Sequence, residues 1–102
     1  MTIHHIYFIL LQMFVSVVLD PGSIDTAKSL AVILKQYGFK KIQRACWESA
    51  VISEVQFVRI KQDIDRVTDY YDTLRIYQFP LKGLFAITEL SKKKWRRCLI
   101  RP

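Results

Sequence analysis

The sequence predicts a single α+β domain, and three observations carry the prediction. Two segments with helical apolar spacing alternate with short β-branched and aromatic runs, turn residues separate them, and 102 residues suffice for one domain with a buried core. The apolar fraction of 51% and charged fraction of 25% belong to a folding chain, not a disordered one.

Residues 14–19 read Phe-Val-Ser-Val-Val-Leu, the pattern of a buried central strand. Asp20, Pro21, Gly22 and Ser23 then break it with a turn. Ser23 is placed to cap a helix in which Ala27, Leu30, Ala31 and Leu34 share one face. Lys35 falls in its last turn, and Gly38 stands where a left-handed C-cap residue belongs. Residues 40–46 read as a second strand, and 47–52 as a third after a tight turn or bulge. Ser53 and Gln56 form a capping box that opens a second helix. Its apolar stripe is Phe57, Ile60, Ile64, Val67 and Tyr71; the charged Arg59, Lys61, Asp63, Asp65, Arg66 and Asp69 are expected to be solvated surface. Residues 73–79 alternate as a strand, 80–83 turn the chain, and 84–90 and 95–100 give two more strands joined by Ser91 and the lysines.

Strand, helix, strand, strand, helix, strand is the split βαβ pattern of a ferredoxin-like (βαββαβ) fold, here with additional C-terminal strands. Its two helices are expected on one face of an antiparallel sheet. Many functions share this fold, so function must be argued from sites. Strands added after the fold is complete leave an adhesive edge, and the apolar content is high for so short a chain. Together these predict a two-fold homodimer that buries the C-terminal strands.

Charge points to the partner. The chain carries 16 Lys and Arg against 9 Asp and Glu, for a net +7. Most of the excess lies in residues 92–101, where Lys92, Lys93, Lys94, Arg96, Arg97 and Arg101 stand with no acid among them. Such a cluster attracts phosphate backbones, and bound nucleic acid releases counterions there. A solvated tail, a membrane surface and an acidic protein are the competing readings. Lys40, Lys41 and Arg44 are candidates to extend the track. Strand alternation sets Arg96 and Arg97 on opposite sides, so not all six cations reach one duplex. Trp95, embedded in the cluster, is expected to pack in the sheet.

Cys46 and Cys98 are too few for a disulfide framework and lack metal-ligand spacing. They read as reduced thiols in packed strands of a cytoplasmic protein. The first nineteen residues are strongly apolar and contain no Lys or Arg. A signal peptide needs a positive start and a small-residue cleavage site, and neither is visible. A membrane helix needs about 20 apolar residues; here His4, His5, Gln12 and Ser16 interrupt the run and Asp20 ends it. No membrane insertion is expected. His4 and His5 are adjacent, point apart on either regular element, and make a poor metal pair. Residues 1–12 are expected to be an extension upstream of a start at Met13, with 13–102 the domain.

The candidate for chemistry is Asp20, which ends a buried strand just before a Pro-Gly turn, where a rigid scaffold offers a side chain to a ligand. Its alternative role is to cap the turn through its own backbone. The chain holds no Gly-x-Gly-x-x-Gly, P-loop, His-Glu-x-x-His, Cys-x-x-Cys or Gly-x-Ser-x-Gly motif, which removes the common cofactor and hydrolase classes.

Met-Phe-Val-Ser-Val-Val-Leu-Asp from Met13, a helix ending Leu-Lys-Gln-Tyr-Gly, the tract Gln43 to Glu48, an amphipathic helix and then Asp-Thr-Leu-Arg-Ile-Tyr follow in a recognisable order. From about residue 13 to 100 the chain resembles the small CRISPR-associated adaptation nucleases called Cas-two. The resemblance implies a two-fold dimer of ferredoxin-like domains, with the C-terminal strand joining the partner's sheet. It implies that Asp20 faces its twin across the dimer cleft as the catalytic and metal-binding residue for Mg²⁺, or Mn²⁺. Two close carboxylates repel unless a cation sits between them, and a hard cation favours oxygen ligands. The resemblance further implies a dimer that bridges integrase (Cas-one) subunits and holds the duplex that becomes a new spacer. The chain departs from the family pattern at Leu19, often Tyr, at residues 21–25, often Arg-rich, and at Ala45, often Ser. These departures remove polar groups and bear on catalysis more than on fold or DNA binding.

The leading expectation is therefore a CRISPR adaptation protein that binds duplex nucleic acid as a homodimer, with metal-dependent endonuclease activity, on RNA or DNA, implied by the resemblance. A toxin-like endoribonuclease similar to the virulence-associated protein D family is one alternative. A ferredoxin-like interaction module without nucleic acid is another.

Overall fold

The computed structural model of the chain describes residues 12–81 and 83–101. The expected extension at 1–12, with His4 and His5, lies outside these but for Gln12. Eight elements follow in order: β1 (Met13–Asp20), α1 (Ile24–Gln36), β2 (Lys40–Gln43), β3 (Cys46–Ile52), α2 (Glu54–Val67), β4 (Thr73–Leu81), β5 (Leu84–Ser91) and β6 (Lys94–Ile100). The strands form one antiparallel sheet in the order β2-β3-β1-β4-β5-β6. A six-stranded antiparallel sheet with two helices is compatible with the ferredoxin-like pattern, and β5 and β6 extend it beyond β4.

β1 sits centrally and alternates as a one-sided strand must. Met13, Val15, Val17 and Leu19 are buried, while Phe14, Val18 and Asp20 face outward. The buried set joins Leu30, Ile33 and Leu34 of α1 and Phe57, Ile60 and Ile64 of α2 in one core cluster. Both helices therefore cover the same face of the sheet, as expected, and the other face is open.

The helix starts follow their sequence signals. Ser23 Oγ accepts from the Thr26 N–H at 3.1 Å. At α2 the Gln56 N–H donates to Ser53 Oγ at 3.2 Å and Gln56 Oε1 accepts from the Ser53 N–H at 2.9 Å, a complete capping box. Gly38 has φ +83°, the left-handed geometry that favours glycine after a helix.

Two boundaries differ from expectation. The strand expected over 40–46 stops at Gln43, which pairs with Cys46 across a two-residue turn of Arg44 and Ala45. Cys46 thus already belongs to β3. The apolar stripe expected to reach Tyr71 ends with α2 at Val67. Thr68 is extended and its hydroxyl donates to the Ile64 carbonyl at 2.9 Å. Tyr71 lies in the following turn and is 78% exposed.

The resemblance places the last strand in a partner's sheet. In this chain β6 pairs with β5 over its whole length, through a turn of Lys92 and Lys93. Both lysines have positive φ, 53° and 62°, the sense of twist that lets a two-residue hairpin follow the twist of its strands.

Candidate nucleic-acid interface

Asp20 lies where the sequence placed it, at the outer end of β1 opposite Thr73 of β4, with its side chain exposed. Among the described residues it makes no side-chain hydrogen bond and no ion pair. Nor does it cap its own turn: the Gly22 N–H donates to Asp72 Oδ1 at 2.6 Å. Asp72 is 1% exposed, and its other oxygen accepts from the Asp69 N–H at 2.8 Å. A β-carbon on Gly22 would stand 2.7 Å from the Tyr71 carbonyl oxygen, so only glycine fits against that loop. Asp72 and Gly22 thus tie the loop after β1 to the loop before β4 and fix the end of the strand that carries Asp20. Sequence reasoning missed Asp72; its partner Gly22 lies 50 residues away, and no local pattern marks it.

One chain presents one carboxylate at this position. The described residues hold no group of three His, Cys, Asp or Glu side chains suited to a metal ion.

The basic C-terminal residues divide by strand alternation. Lys94 and Arg96 pair with Ser91 and Glu89, on the open face. With Lys92 of the turn they line a cavity of about 400 Å³, together with Tyr70, Glu89 and Ser91. Glu89 is engaged by Arg75 at 3.4 Å. Arg101 is exposed beyond the end of β6.

Lys93 and Arg97 turn the other way. Lys93 Nζ donates to the Asp65 carbonyl and, at 2.9 Å, to the Thr68 carbonyl, and lies 3.3 Å from Asp65 Oδ1. A cation on the last carbonyls of α2 complements the helix dipole. Arg97 lies 6.0 Å over the Phe57 ring and donates to Gln78 Oε1 at 3.4 Å. These two cations fasten β6 to the rest of the fold. Trp95 is on the same side, half-buried as expected, with its indole N–H on Asp65 Oδ1 at 3.0 Å and Lys61 5.0 Å over its ring.

Asp65 and Lys61 are therefore not merely solvated. The Trp95 hydrogen bond holds the Asp65 carboxyl below the usual carboxylate range, with Lys93 adding to the effect. Burial pushes the Lys61 ammonium down, and Arg97 pushes it further. Asp63 likewise leaves the solvated set. It accepts from the Tyr37 hydroxyl at 2.6 Å, a bond that raises the pKa of the phenol.

Lys40, Lys41 and Arg44 are exposed and stand at the far side of the sheet from the basic hairpin. β2 is the opposite edge strand, five strand spacings from β6, or about 24 Å at ~4.8 Å per step. Lys41 lies 6.0 Å over the Trp47 ring. Both thiols are free, as expected, but Cys98 is exposed and not packed, because β6 is an edge strand facing solvent along most of its length.

The open face also carries apolar surface. Phe14 and Phe79 are each 41% exposed, Val18 39% and Ile100 44%. Tyr77, Phe85 and Ile87 continue the patch across β4 and β5. Among the described residues no helix is long and apolar enough to cross a membrane.

Fold and site define a small α+β domain with a basic hairpin at one sheet edge, an exposed carboxylate at the end of its central strand and an open apolar sheet face. No protein-family model, no curated protein and no solved structure matches the chain.

Proposed function

We propose that the protein binds duplex nucleic acid as a homodimer and serves CRISPR adaptation, in the manner its resemblance to Cas-two implies. The observation that carries this reading is the β5–β6 hairpin, where Lys92, Lys94 and Arg96 project together on the open side of the sheet. Cations grouped on one rigid hairpin displace counterions from a phosphate backbone and bind it without reading bases. The open apolar face supports self-association, because a surface of that kind gains free energy when it leaves water.

In such a dimer the two Asp20 side chains would hold Mg²⁺ or Mn²⁺, which supplies an activated water and stabilises charge on phosphate. The exposed, unengaged carboxylate at a strand end supports that role. The bridged partner in this reading is the integrase. A duplex-binding assay over a salt series tests the core of the proposal. Lys94→Gln and Arg96→Gln should each lower the salt slope by about 0.9 per copy, about 1.8 for the dimer, alike on any sequence. Lys93→Gln should lower it less, since its amine is bound to α2. An unchanged slope in the first two variants overturns the reading. Cleavage of duplex DNA and single-stranded RNA, with and without Mg²⁺, tests the nuclease part; Asp20→Asn should abolish it and leave binding intact.

A further inference from the structure

We propose that the cavity lined by Tyr70, Lys92, Lys94 and Arg96 is a subsite for an unpaired nucleotide, with the base on the Tyr70 ring and its phosphates on the three cations. The inference deepens the reading as a nucleic-acid binder and rests on it.

The cavity combines the two chemistries that a single-stranded nucleotide needs. About 400 Å³ holds one nucleotide unit, and its lining brings Tyr70 together with Lys92, Lys94 and Arg96; the Glu89 carboxylate, also in the lining, is engaged by Arg75. Duplex phosphates use the cations alone; an aromatic wall adds nothing for a stacked, paired base. Tyr70 is 56% exposed, yet it is not a loose side chain. Its ring meets that of Tyr71 edge-on, with centroids 5.6 Å apart.

The loop beneath is fixed from several directions. Asp72 accepts from the Asp69 N–H, its own N–H donates to the Asp69 carbonyl at 3.2 Å, and Asp69 Oδ1 accepts from the Tyr71 N–H at 2.9 Å. The link from Asp72 to Gly22 ties that loop to the end of β1. Apart from its edge-on contact with Tyr71, the Tyr70 ring is left largely open to solvent in the free fold. Beside a cationic cavity it is preorganised to stack on a base, because the cost of ordering the loop is met before binding.

The test compares three probes by fluorescence anisotropy on the full chain: a blunt duplex, the same duplex with a short oligo-dT overhang, and single-stranded oligo-dT. The overhang should raise affinity about tenfold over the blunt duplex. Tyr70→Ala should remove that increment and leave blunt-duplex binding and its salt slope unchanged, and Tyr70→Phe should keep it. The side chain is exposed, so the alanine variant retains the fold, which circular dichroism confirms. An overhang that adds nothing, or an increment that survives Tyr70→Ala, overturns the proposal. Failure of the blunt duplex to bind while oligo-dT binds in a Tyr70-dependent manner overturns the duplex reading and upholds the subsite. Failure of all three probes overturns both.

Discussion

At the scale of single residues, a buried carboxylate organises the candidate site although it is not the residue that faces solvent. Asp72 offers one oxygen to each of two loops, and both recipients are backbone N–H groups with fixed positions. Removing it leaves those donors without a partner in a closed environment. Asp72→Ala should therefore destabilise the fold by about 3 kcal/mol, read by urea unfolding. Asp72→Asn should recover little, because its amide group sets donors against one of the two N–H groups. Gly22→Ala tests the same contact from the opposite side. Its methyl group would press on the Tyr71 backbone, so the loss should match the alanine variant at 72 in sign. Asp20→Ala, by contrast, should leave the unfolding midpoint within about 0.5 kcal/mol of the parent, since the side chain is exposed and contacts nothing that supports the fold. A large loss there would make Asp20 a structural residue.

At the scale of elements, the local signals were legible and the long-range ones were not. Ser23, Ser53 and Gln56 cap helices because the groups involved lie within three residues, and the sequence places them next to each other. The turn at Arg44 and Ala45 carries neither Gly nor Asn, so nothing marked the break between β2 and β3. Tyr71 continued the helical spacing on paper, but Thr68 had already left the helix. The charged side of α2 read as solvated because periodicity shows which residues miss the core, not which ones receive another strand. Asp65 receives Trp95 and Lys93 from about 30 residues downstream, and that contact docks β6. It carries a pH dependence. Asp65 has a depressed pKa when folded, so its contribution is complete above its unfolded value near 4 and is lost as pH falls through the folded value. Acid titration followed by tryptophan emission should show a red-shifting step in that range as Trp95 is released. Asp65→Asn should lack the step, and an equal step in that variant would mean that β6 is held by other contacts.

At the scale of the whole molecule, β6 and the open sheet face bear on how copies assemble. The strand order leaves β2 and β6 as edges, and the helices protect one face. On the other, Phe14, Val18, Phe79 and Ile100 form part of an apolar surface on the same side as Lys94 and Arg96. A dimer that closes over this face would bury the apolar residues and display the basic hairpin twice about the two-fold axis. Val18→Glu and Phe79→Glu place a charge on that face without entering the core, so the chain should still fold. Light scattering at micromolar concentration should give a dimer for the parent chain and a monomer for the double variant. Because salt slope counts phosphates neutralised, the monomer should show about half the parent slope on the same duplex. A dimer that persists in the double variant would move the interface to the β6 edge, where the backbone groups of a sheet remain open to pairing. A monomeric parent chain would remove the two-fold pairing of Asp20, and with it the proposed pairing of two Asp20 carboxylates about one cation.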